Sequence, residues 1–187
     1  KRADFAAIGK EFGIDPVIAR LIRNRDVQDR DEIHRYLYGT VKELASPHLM
    51  KDVDKAVEIL QNKIKKKKRI RIIGDYDIDG VVSTFILIKG LKRAGALADT
   101  YIPDRVADGY GIHEHLIERA VNDGIDVIVT CDNGIAAYNE ITMAKENGMT
   151  VIITDHHEIP YKETEDGREL ILPPADAIVN PKQPDCN

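Results

Sequence analysis

The chain has 187 residues, of which 43% are hydrophobic and 32% are charged, values that fit one domain of ordinary size or one domain with a small appendage. The net charge of −5 is unlike that of a typical nucleic-acid-binding protein, although cations bound at an acidic site would offset it. There is no apolar run of about 18 residues and no apolar segment after the N-terminus, so we expect neither a transmembrane helix nor a secretory signal. The cysteines, Cys131 and Cys186, form no CxxC pair, and this predicts a reducing cytoplasm rather than a disulfide scaffold.

The pattern of residues 1–68 predicts a helical lead-in, and we identify no catalytic or ligand-binding motif in it. Pro16 suits the first turn of a helix, and further helices are predicted over 31–38 and 52–68. The last of these ends in the strongest run of like charge in the chain, Lys63, Lys65, Lys66, Lys67, Lys68 and Arg69. Such a run either complements the dipole of the helix C-terminus in solvent or binds a phosphate backbone, and both interpretations stay open.

From residue 69 onward the pattern predicts alternating strands and helices, and we treat 69–187 as a second domain. Strands are predicted at 70–74, 98–102, 125–131, 150–154 and 176–179, and helices at 81–94, 112–123 and 136–147. This alternation indicates an α/β fold with a mostly parallel, Rossmann-like sheet and flanking helices. The polar stretch 160–174, rich in Glu, Gly and Pro, predicts a loop or an irregular excursion.

Acidic residues and histidines follow three of the predicted strands at the edge where an open parallel sheet binds its ligands. The first set is Asp75-Tyr76-Asp77-Ile78-Asp79-Gly80, which resembles the start of an EF-hand loop. That interpretation fails because the twelfth position is the apolar Ile86 instead of an acid. Alternation would put the three carboxylates on similar sides if the backbone stays extended, with Gly80 permitting a tight turn. One of these acids could instead cap the following helix.

The other two sets are Asp132-Asn133-Gly134 and Asp155-His156-His157. Asn-Gly alone is a common turn dipeptide, but after a buried strand Asp132 stands where a carboxylate could bridge two metal ions. Adjacent residues cannot share one face, so we expect one imidazole to bind metal and the other to face the substrate, with Asp155 orienting an imidazole. A site with many oxygens and one or two nitrogens suits Mn²⁺ or Mg²⁺ better than Zn²⁺.

These three motifs, in this order and spacing, resemble the DHH phosphoesterase superfamily, which is named for the triplet at 155–157. Further stretches resemble its single-strand-specific 5′→3′ DNA exonucleases, namely 101–105, Gly109-Tyr110-Gly111-Ile112 and 177–182. The resemblance implies that Asp77, Asp79, Asp132 and His156 bind metal, that Asp132 bridges, and that His157 contacts the scissile phosphate. It also implies supporting roles for Asp75 and Asp155. Arg105 is the candidate for binding a substrate phosphate, unless it only pairs with Asp104 or Asp108 at the surface.

The resemblance also implies a function for the chain. It implies metal-dependent hydrolysis of phosphodiesters in single-stranded DNA during repair and recombination, with two Mn²⁺ or Mg²⁺ ions in the complete enzyme. Single-strand-binding protein and repair helicases are expected partners, and no membrane is. Alternatives are a phosphodiesterase for short oligonucleotides or cyclic dinucleotides, or a scaffold without catalysis. Many members place a metal-binding histidine where this chain has Ile73. Because a fourth metal-binding aspartate and a C-terminal substrate domain are not found in the sequence, we expect the N-terminal part of such an enzyme.

Overall fold

The structure, a computed structural model, describes residues 3–109, 111–165 and 167–186. The chain divides into two compact units, Lys1–Ala45 and Ser46–Asn187. The first contains the helices α1 (Phe5–Phe12), α2 (Pro16–Asn24) and α3 (Arg30–Tyr38). The second contains the helices α4 (Val53–Lys65), α5 (Ile78–Arg93), α6 (Glu114–Asn122) and α7 (Tyr138–Glu146). Its strands are β1 (Arg69–Ile73), β2 (Leu97–Tyr101), β3 (Val127–Cys131), β4 (Thr150–Thr154), β5 (Tyr161–Thr164), β6 (Gly167–Leu170) and β7 (Ala177–Val179).

The helices of the first unit begin at aspartates that cap them. The side chain of Asp4 accepts a hydrogen bond from the N–H of Ala7 in α1. The side chains of Asp15 and Asp29 likewise accept from backbone N–H groups at the starts of α2 and α3. A capping side chain satisfies one of the backbone donors that a helix start leaves without a partner. Pro16 occupies the first turn of α2 as predicted, and α1 lies within the predicted helical lead-in, where no separate helix had been delimited.

The second unit is built on a parallel sheet with the strand order β2-β1-β3-β4-β7. Its central strands β1, β3 and β4 are almost entirely buried, which explains their continuous runs of Ile and Val. The predicted α/β class and the parallel sheet are confirmed. Because all five strands run in one direction, the residues that follow β1, β3 and β4 emerge at the same edge of the sheet.

Helices cover both faces of this sheet and close two hydrophobic clusters. On one face Ile70 and Ile72 pack with apolar residues of α4 and α5, and on the other Ile73 and Ile128 pack with residues of α6 and α7. Burying such side chains contributes about 1.5–3 kcal/mol each, which fixes the helices on the sheet. None of the helices in the described ranges is both long and apolar enough to cross a membrane.

Helix α4 belongs to the second compact unit, although we assigned it to the lead-in from sequence. The unit boundary falls between Ala45 and Ser46, and the side chain of Asp52 at the start of α4 accepts from the N–H of Ile178 in β7 at 3.0 Å. The basic run begins in the last turn of α4 and ends at Arg69, the first residue of β1, at the edge opposite the carboxyl ends of the strands. Lys68 pairs there with Asp126 at 2.7 Å. This location favours the interpretation that the run complements the helix dipole in solvent.

The stretch 160–174 differs from its predicted loop. Strands β5 and β6 form an antiparallel hairpin there, apart from the main sheet. Almost all of their residues are exposed, so they carry no apolar alternation that would indicate strands from sequence. The cation of Arg168 lies 4.2 Å from the ring of Tyr161 across the hairpin and helps to hold it.

Arg71 anchors the outer strand β2 and the end of α6 to β1. Arg71 is 8% exposed, and its guanidinium donates twice to Asp99 at 2.8 Å and once to Asp123 at 2.7 Å. The hydrogen bond from Arg71 holds the pKa of Asp123 below its usual range. A depressed carboxylate pKa stabilises the fold above the unfolded pKa, and the contribution is lost as the pH falls through the folded pKa.

We therefore expect Arg71→Met to lower the free energy of unfolding by about 2 kcal/mol at pH 7, since three charge-assisted bonds are lost while both carboxylates keep partial access to water. Urea denaturation at pH 7 and near pH 3 measures this effect, and the difference between the variant and the parent should shrink at the lower pH. Arg93→Met, an exposed arginine in the last turn of α5, is the matched control. An equal loss in both variants would contradict this assignment.

Candidate metal centre

The loops after β1, β3 and β4 bring the predicted acidic and imidazole side chains together. In the first loop, Asp75 is 1% exposed and its Oδ1 has no hydrogen-bond partner among the described residues. A buried carboxylate oxygen without a donor is costly unless a cation approaches it. Asp75 therefore has the surroundings that suit a metal ligand.

Helix α5 begins directly after this loop, so the backbone does not stay extended through the three aspartates. Asp77 is the N-cap, and its Oδ1 accepts from the N–H of Gly80 at 2.9 Å. Gly80 lies inside the helix, and a Cβ there would stand 2.5 Å from the carbonyl oxygen of Asp75. We expected Gly80 to permit a tight turn. Its actual role is to let the helix approach the backbone of Asp75.

In the second loop, Asp132 adopts a left-handed backbone conformation with a φ of 61°, which side-chain-bearing residues seldom adopt. Gly134 follows with a φ of 103°, and a Cβ there would lie 2.6 Å from the hydroxyl of Thr130. The side-chain amide of Asn133 donates to the carbonyl of Gly74 at 2.8 Å and so ties this loop to the first. The left-handed conformation of Asp132 strains the backbone, and strain of this kind is typical of positions that hold a functional group in place.

In the third loop, the carboxylate of Asp155 organises the two histidines. Its Oδ1 accepts from the backbone N–H groups of His156 and His157 and lies 2.7 Å from Nδ1 of His157. Its Oδ2 accepts from the N–H of Ile135 at 2.9 Å. Asn180, fully buried, donates to the carbonyl of His157 at 3.0 Å. Asp155 thus has the orienting position that we expected.

The ligand atoms of these loops form two groups that share one member. Asp75, Asp77 and Asp132 form the first group, and Asp132, His156 and His157 form the second, with the ligand atoms within each group no more than 4.8 Å apart. Nε2 of His156 lies 2.9 Å from Oδ1 of Asp132. Asp132 is thus the member that the two groups share among the described residues.

Both imidazoles therefore reach the same carboxylate, which differs from our expectation that neighbouring histidines must point to opposite sides. That expectation assumed an extended strand, but β4 ends at Thr154 and Asp155 bonds both following N–H groups. The rings lie 4.7 Å apart, tilted by 44°. The turn, rather than the strand, decides where the two side chains point.

Two other predicted residues have different surroundings. Asp79 lies in the first turn of α5 and lines the cleft beside Asp132 and His156, but it belongs to neither ligand group. The guanidinium of Arg105 lies 5.5 Å from the ring of Tyr76, and within the described ranges it has no ion pair with Asp104 or Asp108. Tyr110, part of a stretch on which the resemblance rests, is outside the described residues.

An open cleft of about 450 Å³ is lined by Asp132 and His156 of the ligand groups. Sequence reasoning missed part of its lining, including Cys131 and Thr154 at strand ends and Val82, Ser83 and Ile86 on α5. Their position at strand ends and in the first turns of the helix after β1 is the signal that could have identified them. Cys131 is a buried free thiol whose pKa is raised by burial.

Comparison with known proteins agrees with this geometry. The sequence model of the DHH family, N-terminal domain, matches residues 69–187 and so includes all three loops. The chain belongs to the DHH family. Within this family it is similar to the single-stranded-DNA-specific exonuclease RecJ of Bacillus subtilis, with 37% identity over 96% of this chain.

Two solved structures resemble this DHH chain. One is an exonuclease RecJ bound to manganese, with a TM-score of 0.64, 34% identity and 74% of this chain covered. The other is RecJ from Thermus thermophilus in complex with Mn²⁺, with a TM-score of 0.63, 26% identity and 98% covered. The chain spans 33% and 24% of these structures and 22% of the Bacillus subtilis relative. The chain therefore spans about a fifth to a third of the length of these proteins.

The position for which the resemblance implies a metal-binding histidine in many members is occupied here by a buried aliphatic residue. Ile73 is the last residue of β1 and is fully buried in the hydrophobic cluster beneath α6 and α7. An aliphatic side chain cannot donate an electron pair to a cation, so the first ligand group depends on Asp75, Asp77 and Asp132 among the described residues.

We expect the affinity of the site for a metal ion to rise with pH. Burial lowers the pKa of His157, but the hydrogen bond and charge of Asp155 and the charge of Asp132 outweigh it and raise that pKa above 6.5. Burial and the charge of Asp77 likewise raise the pKa of Asp132. Since a cation must displace these protons, we expect the apparent Kd for Mn²⁺ to fall by up to about tenfold per pH unit between about pH 6 and 8.

Calorimetric titration across this pH range measures the effect. His157→Asn should flatten the profile, while His34→Asn, on α3 and outside both ligand groups, should leave it unchanged. An affinity of the parent chain that does not vary with pH would contradict the raised pKa of His157.

Proposed function

We propose that this chain carries the metal-binding part of an enzyme that hydrolyses phosphodiester bonds in single-stranded DNA from the 5′ end. The observation that carries the proposal is the place of Asp132 in both ligand groups. A carboxylate shared by two cations is the arrangement used to activate a nucleophile and stabilise a leaving oxygen in phosphoryl hydrolysis.

The residues present fit a pair of hard divalent cations. Asp75 contributes a buried oxygen without a donor, and the two groups together offer three carboxylates and two imidazoles. Such an oxygen-rich set favours Mn²⁺ or Mg²⁺. Asp77, Asp132 and His156 would hold the ions, together with Asp75, and Asp79 is a further candidate beside the cleft. When bound, the ions would supply Lewis acidity and lower the pKa of a water.

The remaining residues act on the substrate or position those that do. His157, held by Asp155, would contact the scissile phosphate and stabilise charge on its oxygens. A side chain is best placed for this role when its orientation is fixed, and Asp155 fixes the imidazole of His157 at Nδ1. Arg105 would bind a phosphate of the strand, and the ring of Tyr76 beneath its guanidinium supports it from the loop between Asp75 and Asp77.

The similarity to RecJ proteins supports single-stranded DNA as the substrate, because those relatives are named single-stranded-DNA-specific exonucleases. We further propose a role in repair and recombination in the cytoplasm, with single-strand-binding protein and repair helicases as partners, as the family resemblance implies. Cleavage of short oligonucleotides or cyclic dinucleotides is the competing activity. A scaffold without catalysis is the competing binding function. It is disfavoured because each ligand group retains three side chains that can bind a cation.

Degradation assays separate these functions. The chain would be incubated with Mn²⁺ and, in parallel, with single-stranded DNA labelled at either end, with blunt duplex DNA and with a cyclic dinucleotide. We expect mononucleotides to be released from the 5′ end of single-stranded DNA, no digestion of the duplex, and no activity after the metal is removed by a chelator.

Matched histidine variants complete this experiment. His156→Asn should lower the rate by at least about a hundredfold, whereas His48→Asn, an exposed histidine paired with Asp54, should not change it. Saturable Mn²⁺ binding without cleavage of any substrate would contradict catalysis by this chain. Cleavage of the cyclic dinucleotide alone would contradict the DNA substrate.

A further inference from the structure

The outer face of α5 is apolar and open to solvent. The inner face of this helix packs into a hydrophobic cluster of the sheet through Leu87, Ile88 and Leu91. A second apolar stripe recurs at the spacing of one helix face, and its members are 44% to 78% exposed, namely Ile78, Val81, Val82, Phe85 and Ile86. We call these five residues the α5 stripe. A helix that is apolar on both sides is normally buried, and a contiguous exposed stripe marks a binding surface.

The α5 stripe is continuous with the candidate metal centre. Val82 and Ile86 line the open cleft together with Asp132, the member shared by the two ligand groups. Phe85 follows Asp79, another residue of the cleft lining, by about 9 Å along the helix axis. A polymer held in the cleft therefore reaches Phe85 without leaving the surface of the helix.

The charge along α5 favours an anionic ligand. After Asp79 the sequence has no acidic residue until Asp99, although the whole chain has a net charge of −5. Three exposed cations follow the stripe in this interval, namely Lys89, Lys92 and Arg93. The ammonium of Lys89 lies 5.0 Å from the centre of the ring of Phe85. Apolar side chains with cations beside them and no acid suit a polyanion that also has apolar faces.

Single-stranded DNA combines these two properties. Its phosphates are anionic, and its unpaired bases have flat apolar faces that stack on aromatic side chains. Phe85 offers such a surface, since 59% of it is exposed although Lys89 lies beside the ring. A protein partner would match the aliphatic members of the stripe equally well, but it would leave the row of cations without a reason. Duplex DNA keeps its bases inside the helix and cannot present them to Phe85.

We propose that single-stranded DNA extends from the metal centre along the α5 stripe, with a base stacked on Phe85 and a phosphate beside Lys89. The proposal rests on the proposed function for the identity of the polymer. It assigns the preference for single strands to this helix, because only an unpaired base can lie flat on the ring.

Photochemical crosslinking tests the contact without requiring cleavage. The probe is a short single-stranded oligonucleotide that contains 5-iododeoxyuridine, a base that light joins to an aromatic side chain on which it stacks. The chain would be irradiated with this probe once in a chelator and once in Mn²⁺, and the joined peptide would be identified by mass spectrometry. We expect the crosslink at Phe85 in both conditions. The same oligonucleotide in a blunt duplex should give none.

Substitutions of Phe85 measure the contribution of stacking. Phe85→Leu keeps an apolar side chain at an exposed position and removes only the ring. We expect its affinity for single-stranded DNA, measured by fluorescence anisotropy, to fall about tenfold, whereas Phe85→Trp should bind at least as tightly as the parent. Tyr36→Leu, at an exposed aromatic residue of α3, is the matched control and should bind like the parent.

The phosphate contact has its own measurement. Lys89→Gln removes one cation, so the slope of log affinity against log salt concentration should become shallower by about 0.7. Lys10→Gln, at an exposed lysine in the last turn of α1, should leave the slope unchanged. The same slope in Lys89→Gln as in the parent would contradict a phosphate beside this residue.

The outcomes distinguish the path along α5 from the function on which it rests. Crosslinks at other residues alone, an equal crosslink with the duplex, or the affinity of the parent in Phe85→Leu would overturn the path. Cleavage of DNA with the same KM in Phe85→Leu as in the parent would also overturn it, while leaving the nuclease function intact. A chain that sediments as a dimer, and as a monomer after Phe85→Lys, would assign the stripe to a second copy and overturn the path. A crosslink at Phe85 in a chain that cleaves no nucleic acid would support the path and overturn the nuclease function.

Discussion

Replacing Asp132 by asparagine is expected to weaken Mn²⁺ binding by at least about a hundredfold and to remove any hydrolytic activity, while the fold is retained. Asp132 is the member common to both ligand groups, so its loss affects both at once. Asparagine is the appropriate substitution because it tolerates the left-handed backbone conformation that Asp132 adopts at a φ of 61°. The variant therefore removes the charge without adding backbone strain.

Asp185 offers a matched control for this experiment. It has a φ of 63°, is exposed and belongs to neither ligand group, so Asp185→Asn makes the same chemical change in the same backbone region. Metal binding by calorimetry and unfolding by circular dichroism would be measured for both variants. Mn²⁺ binding by Asp132→Asn with the affinity of the parent would contradict the assignment of Asp132 as the shared ligand.

The second large effect concerns stability, and we expect it for Asp155→Leu. Four donors point at this carboxylate, three of them backbone N–H groups, and its side chain is 1% exposed. Leucine fills a similar volume but leaves those donors buried without an acceptor. The free energy of unfolding should fall by about 3–5 kcal/mol, as for the removal of one partner from a buried charged network.

Urea denaturation measures this loss, and Asp155→Asn should give an intermediate value because one side-chain oxygen remains. The control is Asp31→Leu, an exposed aspartate in the first turn of α3, for which we expect a change below about 1 kcal/mol. A similar small change for Asp155→Leu would mean that the loop after β4 is not held by this carboxylate.

The fold could be predicted where the sequence carries a strong hydrophobic signal. Strands β1, β3 and β4 are buried on both faces, and their runs of Ile and Val identified them. The hairpin of β5 and β6 was missed because its side chains are exposed and polar. Its pairing depends on backbone hydrogen bonds, which leave no mark in a pattern of hydrophobicity.

The membership of the site was predictable, but its internal geometry was not. Parallel strands that end at one edge brought Asp75, Asp132 and His156 together, as expected from their positions. Which carboxylates approach one another depends on where α5 begins. This helix starts at Ile78, and Asp79, in its first turn, does not belong to the group that contains Asp75 and Asp77. Alternation along an extended chain could not supply that boundary.

We expect two cations to bind on either side of Asp132. Crystals of this chain soaked with Mn²⁺, measured near the manganese absorption edge, test it directly by anomalous scattering. We predict two peaks, one beside Asp75 and Asp77 and the other beside His156 and His157, with the carboxylate of Asp132 between them. A peak at a different part of the chain, or no peak at the ends of β1, β3 and β4, would contradict the account.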